Sequence, residues 1–432
     1  MLPDSRRQPV GSSLLGRFTM PAVLLLLLAA CGSSAQSDDT GQPGGPDDGG
    51  NQTACRETVT GDLTVPTVLT NGPEACDYWF PSDGSDNTGY SITSDVQIEA
   101  GTVLRFGKDT QLYVENGGSL TARGNEEQRI VFEGAQPVHG YWYGICFVDN
   151  RESRLEFVDV RWGGKVWAHL GSNCRGGIAG RYPGSTEPVH IVNSTVSGSY
   201  ANGLSVHDLQ LGEFANNAFY DNQEYGVTIE AEQVWKLDAD TDYLGADRGA
   251  PNAEPFVYTH GHFSDPGVEH IWEALNAPYF NSDEKLHDYG KDIVVHDGTF
   301  LVFKPGVTVV FEGDAELYIY GGGGLGMAGT EDNPVVLTGL HASHGAWNGV
   351  RISDAAAILE NVIIEWAGRD DVYPGSLVFI EVSEDLNGKI VDNVFIDGSK
   401  NCAVDVWHDD LSLFQTFNVH YGPNNEIDYC GP

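Results

Sequence analysis

The chain has few basic residues, no long hydrophobic run, no Cys-x-x-Cys pair and no window of sustained helical periodicity. Lysine and arginine number 23 against 62 aspartates and glutamates, a formal net charge of −39. Such an excess keeps a chain soluble and repels polyanions, which argues against a nucleic-acid partner and says nothing about fold. The longest apolar stretch, Val23-Leu24-Leu25-Leu26-Leu27-Leu28 with Ala29 and Ala30 behind it, is too short to span a bilayer as a mature helix. Without a Cys-x-x-Cys pair there is no nucleus for a structural zinc site. Without the 3.6-residue period, helix should be scarce.

What is present is a repeat. Residues 100–149 align with 305–354 at a fixed offset of 205, without a gap and with 17 of 50 positions identical. His139-Gly140-Tyr141-Trp142-Tyr143-Gly144 faces His344-Gly345-Ala346-Trp347-Asn348-Gly349, and Leu112-Tyr113-Val114 faces Leu317-Tyr318-Ile319. Self-similarity at a long period marks stacked or arrayed units. Short β-branched runs such as Val103–Phe106, Leu112–Val114 and Arg129–Phe132 alternate with turn signals such as Asn116-Gly117-Gly118. That spacing predicts an all-β sandwich, barrel or solenoid. The 54 glycines suit tight corners, and short apolar runs suit strands stacked on like strands, so a solenoid is expected.

These residues carry a resemblance. Ile98 through Phe106, Leu120 through Gly124, Ile130-Val131-Phe132 and Trp142-x-Gly144-Ile145 are similar to a bacterial right-handed parallel β-helix repeat of the pectin-lyase-like kind. The second copy repeats it at Pro305 through Phe311, Leu325 through Gly329, Val335-Val336-Leu337 and Trp347-x-Gly349-Val350. The resemblance covers most of 90–430 and implies a single-stranded right-handed parallel β-helix built from two duplicated modules, 55–230 and 296–432, with 231–295 between them. It implies no activity, because β-helices carry lyases, hydrolases, adhesins and inert spacers alike.

The N-terminus reads as an address. Arg6, Arg7 and Arg17 precede the apolar run, so 1–30 has the form of a signal peptide. Leu28-Ala29-Ala30-Cys31 resembles a bacterial lipoprotein lipobox, which implies an acylated (palmitate-bearing) Cys31 and a membrane anchor. Gly32 in place of aspartate implies outer-membrane sorting, periplasmic or surface-exposed. Residues 31–54, small and polar after the cysteine and almost all Gly, Pro and Asp over Gly41–Gly50, have no apolar surface to bury and should form a disordered tether of roughly 25–30 Å.

Six further cysteines in an exported chain suggest three disulfides. Cys146 aligns with Arg351 and Cys402 with Asn202, so neither is shared between copies. Local acquisition then predicts Cys55–Cys76, Cys146–Cys174 and Cys402–Cys430.

Candidate chemistry is thinner. The duplicated His-Gly-x-Trp-x-Gly reads as a structural tryptophan covering the coil. Asp238-Ala239-Asp240-Thr241-Asp242 fails as an EF-hand, since Tyr243 and Gly249 stand where glycine and glutamate are needed. Asp238, Asp240, Asp242 and Asp247 could still hold calcium in another geometry, the alternative being a solvated acidic turn. No other cofactor is indicated. Polygalacturonase motifs are missing or out of order here, and Val166-Trp167-Ala168-His169 lacks the aspartate of the pectate-lyase element. The most unusual stretch is 151–181, locally basic in an acidic chain. Arg161, Trp162, Lys165, Trp167, His169, Arg175, Arg181 and Tyr182 would suit an anionic glycan by stacking and bidentate pairing. The alternative is that these cations pair with neighbouring acids. The expectation is a monomeric, non-catalytic surface lipoprotein for binding, adhesion or display. A lyase or glycoside hydrolase on an acidic glycan is the second reading.

Overall fold

The computed structural model describes residues 55–166, 174–181, 187–263, 265–282, 292–370, 372–380, 389–407 and 417–430. The leader, Cys31 and the tether lie outside the described residues, as do Trp167, His169 and Tyr182. The described chain is built of strands two to ten residues long, with short 3-10 turns at Ala231–Lys236 and Ala246–Arg248. The strands pair in parallel, and in the first half, after Glu57–Thr58 has paired with Tyr78–Phe80, they pair with the strand three places away in sequence. Thr110–Glu115 thus lies between Thr88–Ile92 and Gly144–Val148. This is a parallel β-helix. Three sheets run along the stack, here called I, II and III in the order the chain meets them in one coil. Thr110–Glu115, Ser119–Arg123 and Ile130–Gly134 make one such coil.

Inward positions form ladders of like residues. Leu112, Ile145, Ile178, Leu204, Val227 and Val257 are register partners on six successive rungs, and all are fully buried. Burying each such side chain stabilises the fold by roughly 1.5–3 kcal/mol. Rings stack inside as well: Trp142 lies 4.1 Å from Phe106 with planes 6° apart, and Trp347 lies 4.2 Å from Phe311 at 7°.

Corners are made by single residues in the left-handed region. Among non-glycine residues these are mostly Asn and Asp, including Asn193 and Asn216 between sheets II and III. Short polar side chains tolerate that conformation best. At Asn361 and Asn393 the corner is so tight that Ala356–Glu365 and Lys389–Asp397 run through it as continuous bent strands.

Between the halves the sheets change partners. Glu254–Phe263 pairs backward with Tyr225–Glu230 of sheet I. Forward, its Val257 and Tyr258 pair with Tyr279–Ser282, and its last three residues pair with Ile293–Val295. Gly261, at φ 112, sits where the strand divides. Sheet I of the first half therefore flows into the sheet that holds Thr308–Glu312, the counterpart of Val103–Phe106 in sheet III. Positions related by the 205 offset keep their backbone: φ is 84 at both Gly101 and Gly306, and 66 at both Gly140 and Gly345.

The three disulfides are Cys55–Cys76, Cys146–Cys174 and Cys402–Cys430, with Cα separations of 4.5, 5.7 and 5.8 Å. The local pairing read from the alignment of the halves is the one the fold contains.

Candidate functional site

The basic stretch 151–181 folds onto all three sheets, and its described cations other than Arg181 meet carboxylates on their own strands or on coils nearby. On sheet III, Arg105, Glu133 and Arg161 are successive register partners. Arg105 Nη2 lies 2.6 Å from Glu133, and Arg161 Nη2 lies 2.7 Å from Asp159. Asp159 also accepts hydrogen bonds from Arg129 Nε and Thr195 Oγ1, both at 2.7 Å. Burial by itself would raise the Asp159 pKa. The Thr195 and Arg129 hydrogen bonds, with the charges of Arg129 and Arg161, outweigh burial and hold it below the ordinary aspartate value.

The remaining cations follow suit. Arg154 bonds Glu156 at 2.9 Å and Glu213 at 2.8 Å, Arg151 pairs with Asp95, and Lys165 pairs with Asp109. Arg175 grips Glu224 with two nitrogens, its Nε donating at 3.1 Å. Arg181 is half-buried, and its backbone N–H donates to the Phe147 carbonyl at 3.1 Å. Trp162 is a left-handed corner residue at φ 61 that packs against Gly198, as Trp366 (φ 62) packs against Gly398. The stretch is locally basic because its partners are distant in sequence: Asp95, Asp109, Glu133, Glu213 and Glu224 all lie outside it. Of the eight candidate binding residues, Arg161, Lys165 and Arg175 are thus brought into separate ion pairs rather than one cluster.

The duplicated histidine motif is placed in the same way in both halves. Trp142 Nε1 donates to the Arg161 carbonyl and Trp347 Nε1 to the Glu365 carbonyl, each at 2.9 Å, and neither ring is exposed. His139 reaches Asp221 Oδ1 at 3.1 Å, and His344 reaches Glu426 Oε1 at 3.5 Å. Those carboxylates are again 205 residues apart. Such a histidine links one coil to another.

The acidic turn also has internal roles. Asp238 accepts from Thr241 Oγ1 and from the Asn216 N–H. Asp242 accepts from the N–H groups of Leu244 and Gly245 and from Asn276 Nδ2. Asp240 is exposed, and the Asp247 side chain is outside what is described. Among the described residues no group of three or more His, Cys, Asp or Glu side chains is arranged to hold a metal ion.

Sequence reading missed one titratable group. His207, Glu230 and His260 follow one another along sheet I, with Glu230 the register partner of His260. His207 Nδ1 lies 3.0 Å from Glu230 Oε1, and its Nε2 lies 3.3 Å from Asp208. Burial by itself would raise the Glu230 pKa. The His207 hydrogen bond and charge, with the Gln233 hydrogen bond and the His260 charge, lower it instead. The signal that could have found the group is the coil length, since strands Asn202–Ser205 and Tyr225–Glu230 start 23 residues apart, as do His207 and Glu230. Comparisons with protein-family models, curated proteins and solved structures return no match to this chain.

Proposed function

We propose that the chain is an exported, lipid-anchored surface protein whose β-helix is a non-catalytic scaffold for binding or display. The observation that carries this reading is the neutralisation of the basic stretch: Arg151, Arg154, Arg161, Lys165 and Arg175 each spend their charge on a carboxylate of the scaffold. A lyase or hydrolase acting on an acidic glycan needs unspent cations and titratable groups converging on a cleft. The burial of both motif tryptophans supports the scaffold reading from another side. The leader and Cys31 support the address, outer membrane by way of Gly32.

Replacing Cys31 with Ser should release soluble or unprocessed protein and abolish lipid labelling. Unchanged membrane retention would remove Cys31 as the anchor. Separately, the purified full chain should cleave nothing on a glycan array, with calcium or with chelator. Turnover of any acidic glycan would replace the scaffold by the enzyme reading.

A further inference from the structure

The outer face of the sheet that starts at Ile293–Val295 carries a row of aromatic rings. The strands concerned are Ile293–Val295, Glu316–Ile319, Gly349–Ser353, Gly375–Ile380 and Cys402–Trp407, successive partners in register. Their inward residues, such as Leu317, Val350, Leu377 and Val404, belong to the core. On the alternate positions stand Tyr318, Arg351 and Asp405, with Trp407 two residues further along its strand. Tyr373 comes in from the preceding loop.

The rings and the guanidinium contact one another across the coils. Arg351 lies 5.3 Å from the Tyr318 centroid and 4.3 Å from that of Tyr373. Tyr373 meets Trp407 edge to face at 5.3 Å, and Tyr320 stacks beside Tyr318 at 4.8 Å. Trp407 is 49% exposed, although its Nε1 donates to Asp405 Oδ2 at 2.6 Å. A large ring held by a hydrogen bond and still open to water is a preformed stacking platform, with an apolar face and little side-chain entropy left to lose.

Charge decides what the platform takes. Arg351 is consumed by Glu316 and Asp370, each at 2.8 Å. With Asp405 beside them, the row holds three carboxylates around one paired cation, in a chain of net charge −39. An acidic glycan or a nucleic acid is repelled. A cationic peptide finds Glu316 and Asp370 already paired with Arg351, and Asp405 already accepting from Trp407. A neutral, hydroxyl-rich ligand needs no unpaired charge and meets aromatic faces for its C–H surfaces. We propose that this row, centred on Trp407 and Tyr373, binds an uncharged polysaccharide along the coil axis. Strand spacing of about 4.8 Å over the four strands from Glu316–Ile319 to Cys402–Trp407 gives a track of roughly 14 Å, long enough for a few sugar rings. The proposal rests on the binding-scaffold reading and gives it a ligand class, but it does not depend on the anchor.

The test uses the full chain in affinity electrophoresis through gels containing a neutral β-glucan, a neutral mannan or polygalacturonate. Retardation by at least one neutral gel is expected. Trp407→Ala and Tyr373→Ala should each weaken it about tenfold, whereas Trp407→Phe keeps most of the platform and most of the binding. Retardation should change little with salt, because stacking is not screened. Melting curves of the three variants keep loss of binding apart from loss of fold. Retardation only by polygalacturonate, or neutral-glycan binding untouched in folded Trp407→Ala and Tyr373→Ala, would overturn the proposal. So would an absence of neutral-glycan binding accompanied by capture of a basic aromatic peptide. Because Cys31→Ser leaves this row intact, failure of the anchor and failure of the glycan track give different results.

Discussion

At the scale of single residues, two glycines do work that no other residue can. Gly198 and Gly398 adopt φ 67 and 70, and a Cβ on either would stand 2.6 or 2.3 Å from an atom of the Trp162 or Trp366 ring. Gly398→Ala should therefore cost about 2 kcal/mol or more, as backbone strain of about 1–2 kcal/mol adds to displacement of the ring. Denaturant midpoints of the folded variant check this. Two half-buried glutamates give opposite pH signatures. Glu230, held below its ordinary value despite burial, contributes stability that is present above the ordinary glutamate pKa of 4.5 and is lost as pH falls through its folded value. The melting-temperature gap between wild type and Glu230→Gln should thus narrow on acidification. Glu365 is raised by burial, with Asp397 adding repulsion against the Thr338 hydrogen bond, so its folded state holds a proton more tightly than the unfolded chain. Glu365→Gln should raise the melting temperature at neutral pH, and the gain should fade below the ordinary glutamate range. One position of the 205-residue alignment differs in chemistry between the halves. Where Cys146 meets Cys174 beside Tyr113, Arg351 lies over Tyr318.

At the scale of elements, the coil is closed by its corners and filled by its rings. Asn361 combines a left-handed backbone with an Nδ2–H donated to the Gly329 carbonyl at 3.0 Å, and its Oδ1 accepts from Asn393 Nδ2 at 2.7 Å. Asn361→Ala removes both hydrogen bonds and keeps the strained backbone, so a loss of about 2 kcal/mol is expected in equilibrium unfolding. Trp142→Ala and Trp347→Ala each empty the centre of a coil beside a stacked phenylalanine. About 3–5 kcal/mol should be lost in either case. Equal losses would fit the shared geometry of the two rings. A loss near zero in one of them would mean that its neighbours close the cavity.

At the scale of the whole molecule, a stack of coils has two ends with open parallel edges, where each coil is supported from one side only. Cys55–Cys76 ties the first described strand to the coil beside it, and Cys402–Cys430 ties the last described strand to its sheet partner Cys402–Trp407. Loops of this size should each stabilise by about 3–4 kcal/mol through the unfolded chain. Reduction should let hydrogen exchange spread from the ends inward and leave the middle, near Glu254–Phe263, protected longest. Uniform exchange along the stack would contradict that order.

The repeat, the short β-branched runs and the Gly, Asn and Asp punctuation determined the β-helix, because each coil places like residues on like residues and so writes its fold into a local pattern. The local cysteine pairs were legible for a related reason, since one turn of the coil brings back residues some 20 to 30 apart. The fate of the charges was not legible. Arg161, Lys165 and Arg175 read as a basic patch along the chain. Only stacking brings Glu133, Asp109 and Glu224 within reach of the cations that pair with them. The same holds for His207 with Glu230, and for Tyr318, Tyr373 and Trp407. Coil lengths vary, so the register between rungs is set by tertiary packing, and that register decides which side chains meet on the outer face.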